Sequence, residues 1–351
     1  MMSNVLPLAL GLIIFSFLIN SAFIVPFIDF LFKLKITRQV EGKKGGKSLF
    51  DKLHDTKAGT PVGGGNYIIF MTTILFAIIF PLSSRLGLSV QFAYNLSSEI
   101  LVIFVTFIGF GVLGLIDDLI KTFGKGRPGE RALGLVYGLS RRDKFLLQIA
   151  VASVAALLMY FKLGISILYI PLIGVTLNMG WLYIPFAVFV IVAFSNAFNI
   201  TDGLDGLASG LLLICLLTFS VIAAGNLDTP LSVFMAIWSG SLIAFLYFNV
   251  YPARIWLGDA GALSFGATLG LIGLLTGNVI ALCVIGAPFI IEVASSAIQI
   301  YGWKKLNRPI LPLAPLHNTF LVKGWKEPKI VMRAWIIGII LAIFGLWLAT
   351  M

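Results

Sequence analysis

The sequence predicts an all-α, polytopic integral membrane protein with about ten transmembrane helices and both termini on the extracytoplasmic side. Three observations carry this. Of 351 residues, 59% are hydrophobic and 11% charged, with a mean hydropathy of +1.02, whereas a soluble domain carries about 25% charged residues. Apolar runs long enough to span a bilayer recur along the whole chain. The basic residues that interrupt them fall almost entirely on one side.

Ten spans can be placed, at roughly 6–32, 63–82, 99–118, 144–162, 180–198, 206–225, 231–249, 260–276, 279–302 and 331–350. The first lacks a basic leader and a small-residue cleavage site, so it reads as a retained span. Eight Lys/Arg lie between Lys33 and Lys57, before span two, and seven between Lys121 and Lys144, between spans three and four. Six more lie between Lys304 and Lys329, before the last span. With ten spans all three loops share a side with Arg254 and Arg333, and only Arg85 and Lys162 oppose them. The positive-inside rule makes that side cytoplasmic. The net charge of +10 is therefore mainly topological and does not indicate nucleic acid. Cys215 and Cys283 fall inside spans and read as buried packing thiols. No loop is long enough for a soluble domain, so residues 1–351 read as a single transmembrane domain.

The acids are placed as selectively as the bases. "GLIDDLIK" closes span three with Asp117 and Asp118, and "NAFNITDGLDG" joins spans five and six with Asn196, Asn199, Asp202 and Asp205. "IWLGDAGALSFG" opens span eight with Asp259. Each motif alone is ordinary, since DG is a common turn and DD at a helix end is often solvated. Together they bring five carboxylates to one membrane surface, where hard divalent cations take carboxylate and phosphate oxygens.

The same surface carries "DTKAGTPVGGG", which sets Lys57 beside a Gly-rich turn whose N–H groups are candidates to hold phosphate. Lys121 and Lys144 flank the second basic loop and are candidates for anionic phosphate or lipid headgroups. Trp256, three residues before Asp259, is placed either to stack on a base or to anchor at the interface. His54 and His317 are the only histidines, too few for a histidine-based zinc site. A lone loop histidine is ordinarily solvated, but the charged neighbours of His317 suit a phosphate contact.

The ordered set "KAGTPVGGG", "GLIDDLIK", "GLSRRDKFLLQ", "SNAFNITDGLDGLA", "FNVYPARIWLGDAGALSFG" and "PLHNTFLVKGWKEPKIVMRAWII" resembles the polyprenyl-phosphate N-acetylhexosamine-1-phosphate transferases from about Lys52 to the last span. The final stretch is more similar to the muramoyl-pentapeptide branch than to the GlcNAc-phosphate branch. The resemblance implies transfer of phospho-MurNAc-pentapeptide from UDP-MurNAc-pentapeptide to undecaprenyl phosphate, giving lipid I and UMP. It also implies Mg²⁺, a homodimer, and a bacterial plasma membrane with the site facing the cytoplasm. It places Asp117 and Asp118 near the lipid phosphate, makes Asp259 the principal metal ligand beside Asp118 and Asp202, and puts His317 in the catalytic set. Lys57, Lys121, Lys144, Asn196, Asn199, Asp202, Asp205, Asn249 and Trp256 become substrate-binding candidates. Direct attack by the lipid phosphate, with Asp117 as base, is the expected route.

The chain departs from the family pattern at three places. Asn318 and Thr319 follow His317 where three histidines are usual, Val62 replaces a threonine, and the loop from Gly124 to Gly138 is longer. Two other functions stay open at this level. One is a related transferase using UDP-GlcNAc or a similar donor. The other is a cation-coupled transporter using Asp29 and Glu292, although transporters place their acids near the midplane and within internal repeats.

Overall fold

The computed structural model describes residues 5–38, 57, 59–83, 91–123, 138–226 and 228–351. His54, Arg85 and most of the long 124–138 loop lie outside the described residues.

The described chain is a helical bundle. In order it contains α1 (Val5–Lys33), α2 (Gly64–Ser83), α3 (Leu96–Phe123), α4 (Arg141–Leu163), α5 (Tyr183–Thr201), α6 (Leu207–Gly225), α7 (Thr229–Asn249) and α8 (Gly258–Leu275). It continues with α9 (Val279–Ile285), α10 (Ala287–Lys305), α11 (Leu316–Val322) and α12 (Glu327–Ala349). Nine of these helices are long and apolar enough to cross a membrane, and α9 and α10, bent by 73° at a short break, add either one broken span or a re-entrant pair. The uninterrupted ninth span expected at 279–302 is thus corrected. Gly286 and Pro288 sit at the break, where a missing side chain and a missing N–H together loosen the helical ladder.

The described residues also contain one antiparallel hairpin between α4 and α5. It joins β1 (Ile167–Ile170) to β2 (Val175–Asn178), pairing Ile167 with Asn178. It follows the end of α4 remote from Lys144 and lies away from the acidic motifs.

The centre of the bundle is α8. It is the least apolar of the nine spanning helices, yet 89% of it is buried, against 28% for α12. The two facts share a cause. A helix surrounded by other helices needs small residues for close approach more than it needs lipid-soluble ones. The sequence "GDAGALSFGATLG" supplies them, and α3 and α5 pack along it. Ser264 donates to the Phe107 carbonyl at 2.6 Å and Ser195 to the Leu263 carbonyl at 3.0 Å, tying both neighbours to α8. The outer helices expose their apolar side chains, among them Ile14 and Leu18 on α1 and Ile340 and Ile343 on α12. Cys215 is buried as expected, but Cys283 is exposed, because its side of α9 faces outward rather than into the bundle.

Every acidic motif lies at one end of this bundle. Asp117 and Asp118 are near the C-terminus of α3, Asn199 near that of α5, and Asp259 in the first turn of α8.

Candidate active site

Close approach of α3 to α8 creates the site. A Cβ at Gly114 would run into the backbone of Asp259 and Ala260, so only glycine lets the two helices meet one turn before the aspartate pair. Asp118 then accepts hydrogen bonds from the backbone N–H groups of Asp259 and Ala260, both at 3.1 Å. These are unpaired donors at the positive end of α8, and a carboxylate there satisfies both hydrogen bonding and the helix dipole.

Two lysines bind the remaining acids together. Lys121 lies 2.7 Å from Asp259 Oδ2 and 3.0 Å from Asp117 Oδ2. Lys144 lies 2.9 Å from Asp117 Oδ2 and also bonds Asp259 Oδ2. Asp117 is 2% exposed and takes a third bond, from the Leu139 N–H at 2.7 Å. Lysines placed for phosphate by sequence are therefore bridges between two helix ends as well.

The turn after α5 carries two aspartates with different surroundings. Asp205 accepts from Lys57 Nζ at 2.8 Å and from the Ala253 N–H at 3.0 Å. Its own N–H donates to Glu327, which also holds Lys57. Asp202 instead lines a cavity and makes no such clamp. Desolvation pushes its pKa up to about 7, aided by Asp259 and Asp205 and opposed by Arg38 and Lys57. Asn199 points its amide at Asp259 Oδ1, at 3.4 Å. Asn196, one turn earlier, is held by Gln148 at 2.6 Å. Asn249 accepts from Ser209 at 2.6 Å and donates to the Ile255 carbonyl at 2.9 Å, so its amide braces α6 and the 250–256 turn.

The Gly-rich turn is occupied by protein. The N–H groups of Gly63 and Gly64 donate to the Trp256 carbonyl, at 3.1 and 2.9 Å, and that of Gly65 to Leu257 at 2.9 Å. The phosphate cradle expected there is corrected: these donors fix Trp256 instead, with Val62 bridged alongside it. The Trp256 ring is 5% exposed, with Arg38 at 5.1 Å and Lys57 at 4.9 Å from its centroid. Its Nε1–H is buried without a partner among the described residues.

His317 is buried rather than solvated, because a short helix, α11, folds back under α10. Its Nδ1 lies 3.1 Å from Glu292 Oε2. Asn318 is also buried, with neither side of its amide partnered among the described residues, and Thr319 donates to the Leu313 carbonyl. Glu292 is thus engaged within the protein, and Asp29 is exposed on α1, so the two acids of the transporter reading do not form a pathway.

Asp118, Asp202, Asp259, Asn199, Lys121, Arg38 and Trp256 together line one cavity of about 250 Å³. Comparison with known proteins gives it a family. The Glycosyl transferase family 4 model matches residues 100–277, which include both aspartate motifs and Asp259. A phospho-N-acetylmuramoyl-pentapeptide-transferase of Bacillus pumilus is 32% identical over 336 residues, 96% of each chain. That of Halalkalibacterium halodurans is 33% identical over 350 residues, covering 99% of this chain and 98% of the relative. The Listeria innocua protein of the same name is 34% identical over 332 residues, 94% of each.

The chain belongs to the phospho-N-acetylmuramoyl-pentapeptide-transferase family.

For a member of this transferase family, the donor set of the cavity suits a hard divalent cation. Asp118, Asp202, Asp259 and Asn199 offer oxygen donors and no sulfur. Among the described residues no three His, Cys, Asp or Glu converge as a metal cluster. Asp118, Asp202 and Asp259 thus share the cavity wall without converging on one point.

Sequence reasoning missed Arg38, Thr37, Thr122 and Gly258 in the cavity lining, and Glu327 and Glu292 as partners of Lys57 and His317. Arg38 was hidden among basic residues assigned to topology. Glu327 had a readable signal, standing just before a proline at the start of the last span.

Proposed function

We propose that the chain transfers phospho-MurNAc-pentapeptide from UDP-MurNAc-pentapeptide to undecaprenyl phosphate, giving lipid I and UMP. The observation that carries this reading is the cavity itself. It sets carboxylates, Lys121, Arg38 and Trp256 together at one end of a membrane-spanning bundle, where a lipid-borne phosphate and a soluble nucleotide can meet.

In this reaction a lipid phosphate oxygen attacks the phosphorus attached to MurNAc, and the bond from that phosphorus to the UMP oxygen breaks. Phosphoryl transfer needs mainly alignment and charge neutralisation. Lys121 and Arg38 line the cavity with positive charge, and Trp256 borders it with an aromatic ring. Asp117 is poorly placed as a base, since its oxygens already accept from Lys121, Lys144 and Leu139. None is required, because a phosphate monoester loses its second proton near pH ~6. Its role is to hold the two lysines between α3 and α8. Bound Mg²⁺ would be held by one or two of Asp259, Asp118 and Asp202 together with substrate phosphate oxygens, and would neutralise charge on the diphosphate.

We infer further that the cavity faces the cytoplasm of a bacterial plasma membrane, as the bias of basic loops supports, and that the chain acts as a homodimer. Purified protein given undecaprenyl phosphate and a panel of UDP-sugars should release UMP fastest with UDP-MurNAc-pentapeptide. Faster release with UDP-GlcNAc would move the chain to the related branch.

A further inference from the structure

Two residues of the expected catalytic set, Asp117 and His317, do not line the cavity, and of the two only His317 lies outside the lysine-bridged cluster. The geometry around it is well defined. The Glu292 carboxylate accepts from the His317 backbone N–H at 3.2 and 3.3 Å and meets its ring Nδ1 at 3.1 Å. Ser295, one turn on, accepts from the Leu316 N–H at 3.0 Å. Two side chains of α10 therefore take up the first free donors of α11. With Nδ1–H directed to the carboxylate, the tautomer and the ring plane are both set.

The other ring nitrogen points at Gly203. The three atoms nearest to a Cβ built on Gly203 all belong to the His317 ring, Nε2 first, well inside van der Waals contact. Gly203 has no positive φ, so its backbone does not demand glycine. The imidazole does. Gly203 stands next to Asp202, whose carboxylate lines the cavity.

We propose that Glu292 and His317 form a positioning pair: the carboxylate on α10 locks the imidazole against Gly203, and the ring holds the turn that presents Asp202 to the cavity. His317 acts on the reaction through that turn rather than by touching substrate. This rests on the transferase reading above and assigns one of its residues a different role.

A double-mutant cycle tests it. Gly203→Ala should lower kcat by about tenfold or more, because its methyl group displaces a pinned ring, and side chains in contact couple on this scale. His317→Ala should lower kcat to a similar extent with a smaller change in the KM for UDP-sugar. The double variant should be no slower than His317→Ala alone, since removing the ring makes room for the new methyl. His317→Gln, which returns a planar polar group, should recover part of the rate, and Glu292→Gln should fall between wild type and His317→Ala. Thermal unfolding in detergent checks that each variant is folded. Additive losses in the double variant, or a rise confined to the KM for UDP-sugar in His317→Ala, would overturn the proposal in favour of a direct substrate contact. A wild type that releases no UMP with any donor would instead overturn the transferase reading.

Discussion

Asp118 caps the helix that carries Asp259, accepting from the N–H groups of Asp259 and Ala260 at 3.1 Å. One carboxylate thus fixes the direction of another across two helices. The two roles of Asp118, cap and oxygen donor in the cavity, separate on substitution. Asp118→Asn keeps one of the two acceptors that the helix uses and should lower the unfolding midpoint less than removal of both. It loses the charge, so the transfer rate should fall by about a hundredfold or more, given the poor affinity of a neutral amide for a hard cation. Asp118→Ala should lose the same activity and about 1 kcal/mol of stability besides. Full activity in Asp118→Asn would reduce Asp118 to a cap.

Lys121 and Lys144 share the same two acids. Either ammonium alone leaves Asp117 and Asp259 with a positive partner, and loss of both leaves the buried Asp117 facing a half-buried Asp259. Lys121→Met and Lys144→Met should therefore be worse together than the sum of their separate effects on unfolding, by about 1–3 kcal/mol. Additive effects would show that the lysines do not share one network.

How much of this was legible depends on the range of the signal. The bundle and its acidic face were readable because span length, loop charge and motif position are local properties of the chain. The bend at Gly286 was readable too, since glycine and proline two residues apart inside an apolar run mark a break, yet apolarity alone set the expected span. The occupation of the Gly63–Gly65 N–H groups by Trp256 and Leu257 was not readable, because the acceptors lie nearly two hundred residues away. His317 belongs to the same class. Its burial depends on a helix that folds back from α10, and nothing in "PLHNTF" announces it.

Trp256 sits under two cations, Arg38 and Lys57, in the cavity wall. Trp256→Leu should raise the KM for UDP-sugar more than it lowers kcat, because stacking and its supporting cations act on ground and transition states alike. Trp256→Phe should be milder. Arg38→Ala should add little on the Trp256→Leu background, since the ring–guanidinium contact, worth about 0.5–2 kcal/mol, is already gone. An equal effect on the KM for lipid would mark Trp256 as a membrane anchor instead.

Lys57 bridges Asp205 and Glu327, with side chains 11%, 4% and 10% exposed. This tie joins the segment before α2, the turn before α6 and the start of α12. Glu327→Ala should destabilise the protein by about 3 kcal/mol, the scale of breaking a buried pair. Glu327→Gln should cost less, because its amide oxygen can still accept from the Asp205 N–H. Matching unfolding midpoints for the two variants would show that the charge, not the hydrogen bond, carries the tie.

Asn318 presents the sharpest test of the departure from three histidines. It is 1% exposed, and among the described residues neither its amide oxygen nor its nitrogen has a partner. An unsatisfied buried amide costs about 1–3 kcal/mol, so Asn318→Leu, close in size and without polar atoms, should raise the unfolding midpoint. A partner arriving with the substrate, such as a phosphate oxygen, would satisfy the amide N–H, and a hydrogen bond to charge is worth roughly 1.5–3 kcal/mol. Asn318→Leu should accordingly lose about ten- to a hundredfold in rate while gaining stability, and Asn318→His should keep most of the rate. Opposite shifts in stability and rate are the signature of an amide kept for the substrate. A more stable and fully active Asn318→Leu would show that the amide takes no part in transfer.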